Sequence, residues 1–129
     1  MAEIWLVDDD LNLANLTKVA LVKNGYMVEI FQDARLAITE AKKRKPDLIL
    51  MDMVMPQFSG AEAVKELKNT PDLAKIPIIV ITGLLSPEEY RDMTRIAIDG
   101  KTYKSLCKPF EINELMKVVS ESLRWSNFS

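Results

Sequence analysis

The sequence predicts an α/β domain, a parallel sheet wound on both faces by helices. Short runs suited to buried strands recur at Ile4–Val7, Met27–Phe31, Leu48–Met51, Ile76–Ile81 and Tyr103–Cys107, three of them almost wholly apolar. Amphipathic stretches at helical spacing separate them, and polar groups gather just after the runs. Runs without polar alternation suit strands covered on both faces, and strand–helix alternation implies right-handed parallel crossovers.

Each element has its own signal. Leu13, Leu16, Val19 and Ala20 mark a first helix that stops near Asn24-Gly25, where a glycine can end it in a left-handed turn. Asp33 is placed to cap a second helix over Ala34–Lys43, closed by Pro46. Ser59-Gly60 precedes a third helix carrying Ala63, Val64 and Leu67. Ser86-Pro87-Glu88-Glu89 combines a capping serine, a proline at the first helical position and acidic groups facing the dipole, and so starts another. A last helix runs from about Ile112 to Leu123, with Leu115, Met116, Val119 and Leu123 as its buried stripe. One domain is expected over residues 1–125, with 126–129 as a tail.

A chain of 129 residues is long enough to bury a core without disulfides or a structural metal. Its net charge of −2 offers no attraction for nucleic acid or anionic membrane. No run approaches the roughly 18 apolar residues of a membrane span. The single cysteine, Cys107, lies in an apolar stretch and reads as a core thiol; with no basic leader before Asp8, a cytoplasmic setting is expected. The sequence contains no histidine, which excludes Ser-His-Asp and Cys-His catalysis and histidine-held zinc. Any metal must be held by oxygen, favouring magnesium, manganese or calcium.

In an open parallel sheet, ligands bind beyond the carboxyl ends of the strands. Those ends carry Asp8-Asp9-Asp10, Asp52, Thr82-Gly83 and Lys108-Pro109. Singly, each has an ordinary explanation as a cap, a turn or a surface group. Together they differ, because carboxylates on neighbouring strands repel unless a cation lies between them. A hard divalent ion would relieve that repulsion, lysine adds a fixed positive charge, and a threonine hydroxyl donates a hydrogen bond. A carboxylate nucleophile in that company suits phosphoryl transfer by positioning and charge neutralisation.

From Glu3 to about Leu123 the chain resembles the receiver domain of two-component response regulators, in its chemotaxis-regulator-like form. The resemblance is carried by Val7-Asp8-Asp9-Asp10, by Asp47-Leu48-Ile49-Leu50-Met51-Asp52-Met53-Val54-Met55-Pro56 with Ser59-Gly60, by Ile78-Ile79-Val80-Ile81-Thr82-Gly83, and by Lys108-Pro109-Phe110. It implies a flavodoxin-like (βα)5 fold with five parallel strands ordered 2-1-3-4-5. It further implies that Asp52 is the phosphoacceptor, with Thr82 and Lys108 contacting the phosphoryl group. Asp9 is the implied direct magnesium ligand, with Asp8 acting through water and Asp52 and the Val54 carbonyl completing the site; manganese can substitute. The backbone N–H groups of Met53 and Gly83 are expected on the phosphoryl oxygens. The implied donor is a histidine kinase or histidine phosphotransfer protein, and the implied output a changed surface for a downstream protein. A homodimer through the last two strand–helix units is also compatible, and turnover of an external substrate is not implied.

The sequence departs from the family pattern in several places. Ser105 stands where an aromatic residue usually moves with the threonine, and Tyr103 lies two residues earlier on the same strand face. Both are switch candidates, and the usual threonine–aromatic coupling is expected to be absent or altered. Gly83 should leave the acyl phosphate open, whereas Val54 and Leu84 are apolar at positions that set its lifetime. The usual Gly-Ala pair reads Lys101-Thr102, with Gly100 displaced by one, which leaves the start of the fifth strand open. Two other classes compete. A haloacid-dehalogenase-type phosphatase also uses aspartate and magnesium, but Asn12 fails its strand-one pattern. A pseudo-receiver would act by contact alone, against the retention of the acidic, threonine and lysine positions.

Overall fold

The computed structural model describes residues 1–53, 55, 59–83, 95–108 and 110–126. Their elements are β1 (Glu3–Val7), α1 (Leu11–Lys23), β2 (Met27–Phe31), α2 (Ala34–Ala41), β3 (Leu48–Asp52), α3 (Gly60–Asn69), β4 (Ile78–Thr82), β5 (Arg95–Ile98), β6 (Lys101–Cys107) and α4 (Ile112–Ser126). The sheet order is β2-β1-β3-β4-β6-β5. The first five strands in that order run parallel, with Val7 level with Phe31 and Met51, and Thr82 level with Cys107.

Alternation along the strands divides the core in two. Trp5, Val7, Ile49, Met51, Ile78 and Val80 face one side, where α2 and α3 bring Ala37, Ile38, Val64 and Leu67. Ile4, Leu6, Leu48, Leu50, Ile79 and Ile81 face the other, where α1 and α4 bring Ala14, Leu21, Leu115 and Val119. Each large side chain removed from water here contributes about 1.5–3 kcal/mol against the entropy of ordering the chain.

The helix ends follow the sequence signals. Asp10 accepts the Leu13 N–H at 3.2 Å and caps α1; Asp33 and Ser59 cap α2 and α3 in the same way. Beyond α1, Gly25 takes a φ of 92°, which only glycine adopts without strain. Helix α2 ends at Ala41, two residues before the expected stop, and α4 runs on to Ser126. The helix expected from Ser86-Pro87 and the tail beyond Ser126 fall outside the described residues.

One expectation is corrected. Among the described residues the sheet has six strands, not five, and the added β5 pairs antiparallel with β6. The cause is local: Asp99 and Gly100 both have positive φ, 52° and 82°, the backbone of a two-residue hairpin turn. Ile98 and Lys101 flank the turn, Ile96 lies opposite Tyr103, and the last long strand therefore starts at Lys101, before the apolar run.

Candidate functional site

After β1 the chain turns into α1 on one face, and after β3 into α3 on the other. The connections diverge between these neighbouring strands and open a crevice at their carboxyl ends. Asp8 and Asp9 enter it from β1, and Asp52 is the last residue of β3. One carboxylate oxygen from each lies within 4.8 Å of the others. Asp8 and Asp52 are buried, at 2% and 4% exposure, while Asp9 is exposed.

Lys108, just past β6, reaches into this acidic cluster. Its Nζ donates to Asp8 Oδ2 at 3.3 Å and to Asp52 Oδ2 at 3.4 Å. Burial opposes its charge, but the Asp52 and Asp8 carboxylates outweigh burial and hold its pKa above the ordinary lysine value. Its backbone is pinned as well, since Lys108 N–H donates to the Thr82 carbonyl at 2.8 Å. The other Asp8 oxygen accepts the Asp10 N–H at 2.9 Å, which orients the carboxylate and links it to the α1 cap.

Thr82 closes β4 and is 1% exposed, with Gly83 exposed beyond it. A Cβ built on Gly83 would meet nothing within 4 Å. Met53 N–H donates to the Ile81 carbonyl at 2.9 Å, so in this conformation that donor is held by the neighbouring strand. Val54 lies outside the described residues. Ser105 is buried on β6 level with Val80, and Tyr103 is one same-face rung away among the core side chains.

Gly60 has a role that its place beside a capping serine only partly indicates. A Cβ there would lie 2.0 Å from the Asp52 carbonyl oxygen and 2.7 Å from Met53 Cα. The first turn of α3 thus rests directly on the Asp52–Met53 peptide, and Gly60 N–H donates to the Met53 carbonyl at 3.3 Å.

An all-oxygen set of three carboxylates, two of them buried, fits a hard divalent cation such as magnesium. Lys108 brings a positive charge within 3.4 Å of the Asp52 carboxylate in the same crevice.

Residues 4–120 match the family model described as the response regulator receiver domain. The response regulator MprA of Mycolicibacterium vanbaalenii is 34% identical over 94% of this chain, and the chain spans 50% of that relative's length. The chemotaxis protein CheY4 of Vibrio cholerae superposes with a TM-score of 0.78 at 30% identity, covering 95% of this chain and 98% of that one. The receiver domain of the sensor histidine kinase PA1611 from Pseudomonas aeruginosa, solved with magnesium coordinated in its active-site cleft, gives 0.81 at 26% identity, with coverage of 95% and 98%. The chain belongs to the response regulator receiver domain family of two-component signalling systems.

Proposed function

We propose that Asp52 accepts a phosphoryl group from a phosphohistidine on a histidine kinase or phosphotransfer protein, in a magnesium-dependent reaction that resets a protein-binding surface. The observation that carries this reading is the placement of Lys108 Nζ 3.4 Å from the Asp52 carboxylate, at a crevice whose carboxylates can hold a cation. In the transfer, a carboxylate oxygen of Asp52 forms the new O–P bond as the P–N bond to the donor imidazole breaks. The bonding pair returns to that imidazole.

Lys108 presents a fixed positive charge to the phosphoryl oxygens as Asp52 ceases to be a free carboxylate. Thr82 supplies a hydroxyl and Gly83 an N–H from the end of β4, and the Met53 N–H can join only by releasing Ile81. Asp8, Asp9 and Asp52 would hold magnesium, with manganese as a substitute, and the Val54 carbonyl is assigned to the same ion. When bound, the ion neutralises charge shared between carboxylate and phosphoryl oxygens. The product carries about two negative charges and three acceptors, enough to draw Thr82 inward and bias a two-state surface.

Beside the crevice, α1 and α4 border an apolar groove of about 420 Å³ lined by Leu13, Leu16, Val19, Phe110 and Leu115. Leu16 is 70% exposed and Val19 52%, which suits a helical donor that presents its histidine to Asp52. The proposed setting is cytoplasmic, with protein partners and no direct contact with nucleic acid. Among the described residues, no helix is long and apolar enough to cross a membrane.

Incubation with acetyl phosphate and magnesium should add one phosphoryl group, about 80 Da, to the wild type and none to Asp52→Asn. Steady release of inorganic phosphate with no adduct would replace this reading with that of a phosphatase, and no reaction with that of a contact module.

A further inference from the structure

Away from the crevice, a cavity of about 30 Å³ lies between the carboxyl end of α3 and the β5–β6 hairpin. Lys65, Lys68 and Asn69 line it from α3, Asp99 from the hairpin turn, and Lys101 and Tyr103 from β6. Lys101 precedes Leu106 by five residues, and Leu106 is level with Ile81 and, through it, with Asp52. At strand rise the cavity is therefore about 17 Å down the sheet from the level of Asp52.

Three ammonium groups meet here without a carboxylate partner. Lys104 and Lys108, also partly buried, each reach one, Glu121 at 3.1 Å and Asp8 at 3.3 Å. Lys65, Lys68 and Lys101 make no ion pair among the described residues. Lys68 is not free to swing away, because its Nζ donates to the carbonyls of Ala74 and Ile76, each at 2.8 Å. Those bonds use two of its three N–H donors. Burial, with repulsion from Lys101 added, lowers its pKa to about 8, so the two ammonium groups feel each other. Tyr103 is 8% exposed, and its hydroxyl has no hydrogen-bond partner among the described residues. Buried hydroxyls are ordinarily bonded. Against the three cations stand one carboxylate, Asp99, and the roughly half negative charge at the carboxyl end of α3, so the balance is positive.

We propose that this cavity binds one phosphate-class oxyanion, held by the third Lys68 donor, the Lys65 and Lys101 ammonium groups and the Tyr103 hydroxyl. Asn69, exposed at the rim, offers a further donor. A tetrahedral dianion accepts several charge-assisted hydrogen bonds at once and supplies the negative charge that the neighbouring side chains do not. A cavity of this size takes little more than the oxyanion itself, so the organic part of a phosphomonoester would project into solvent. The site makes no use of Asp52 and stands apart from its proposed role.

Amide resonances of the isotope-labelled chain test the site, in magnesium-free buffer near neutral pH with ionic strength held by chloride. Inorganic phosphate and glycerol phosphate are titrated separately. Saturable shifts at Lys68, Asn69, Gly100, Lys101 and Tyr103 are expected at concentrations on the order of 1 mM. Tighter binding of inorganic phosphate identifies a free-anion site, and tighter binding of glycerol phosphate a site for a terminal phosphate. Lys101→Gln removes an exposed side chain and should weaken binding by about tenfold; Tyr103→Phe keeps the ring and every charge and should weaken it by about fivefold. Lys75→Gln, exposed and outside the cavity, should bind as the wild type does, which separates a site from general attraction. Shifts that rise without saturating, that chloride reproduces, or that are confined to Thr82 and Lys108 would each overturn the site. So would binding undiminished in Lys101→Gln or Tyr103→Phe, or a loss in Lys75→Gln equal to theirs.

Discussion

Lys108 Nζ sits 3.4 Å from Asp52 and 3.3 Å from Asp8, so one ammonium is shared between two buried carboxylates on adjacent strands. Any cation entering the crevice must compete with it. Lys108→Met should therefore bind magnesium more tightly, by about tenfold or ~1.4 kcal/mol, because repulsion between Asp8 and Asp52 would then fall to the ion alone. Titration calorimetry with magnesium chloride reads this directly. The same variant should accept phosphoryl groups from acetyl phosphate much more slowly, since binding the ion does not replace the lysine's contact with the transferring group. An unchanged or weaker magnesium affinity would count against the competition.

Gly60 and Gly83 predict opposite responses to the same change. A methyl group at Gly60 would lie 2.0 Å from the Asp52 carbonyl, against backbone that cannot swing aside. Gly60→Ala should destabilise the fold by about 2–3 kcal/mol and slow phosphorylation, because α3 or the Asp52–Met53 peptide must move. Gly83→Ala meets nothing within 4 Å and should stay within about 0.5 kcal/mol of the wild type. Urea denaturation of both variants measures the contrast, and equal costs would contradict it.

The gathering of polar groups at the strand ends was the more legible part of this sequence. Asp8, Asp9, Asp52, Thr82 and Lys108 stand at strand ends, where packing asks for no polar residue, and the order of strands brings them to one crevice. The hairpin was harder to read. Asp99-Gly100 between Ile96–Ile98 and Lys101–Tyr103 is a hairpin signal, since both turn residues tolerate positive φ. A displaced glycine at that point also reads as an ordinary loop before a parallel strand, and four residues are too short a run to decide by periodicity. The Met53 donor was illegible for another reason. Whether a backbone N–H is free depends on its neighbour across the ladder, here Ile81, and side-chain identity carries no trace of that.

Lys68 gives the fold a pH dependence. Its Nζ donates to the carbonyls of Ala74 and Ile76, each at 2.8 Å, and lies 5.9 Å from the centre of the Tyr103 ring. Burial, with Lys101 adding repulsion, lowers its pKa from 10.5 to about 8. A neutral amine keeps two N–H donors, so both carbonyl bonds survive loss of the proton. Below about 8 the folded and unfolded chains both hold the charge; between about 8 and 10.5 only the unfolded chain does. The unfolded state then binds more protons, so the Lys68 contribution to stability rises with pH across that window. Urea midpoints measured from neutral pH to about pH 10 should rise in the wild type relative to Lys68→Met. A constant difference between the two would rule the assignment out.

Tyr103 is a poor substitute for the aromatic residue missing at Ser105. Thr82 is level with Cys107, four residues beyond Tyr103 along β6, a separation of about 13 Å at strand rise. The Tyr103 ring is 8% exposed, packed within the core and roofed by Lys68, and burial pushes its phenol pKa up, with Asp99 adding to the shift. A ring held there has neither the reach nor the room to follow the inward movement of Thr82 proposed above. Addition of a beryllofluoride phosphoryl mimic with magnesium should therefore shift the amide resonances of Thr82, Gly83 and Lys108 and leave the Tyr103 ring signals in place. Tyr103→Phe should bind the mimic and show the same shifts at Thr82 as the wild type. If the Tyr103 ring moves with the mimic, or if Tyr103→Phe abolishes the Thr82 response, the tyrosine is part of the relay after all.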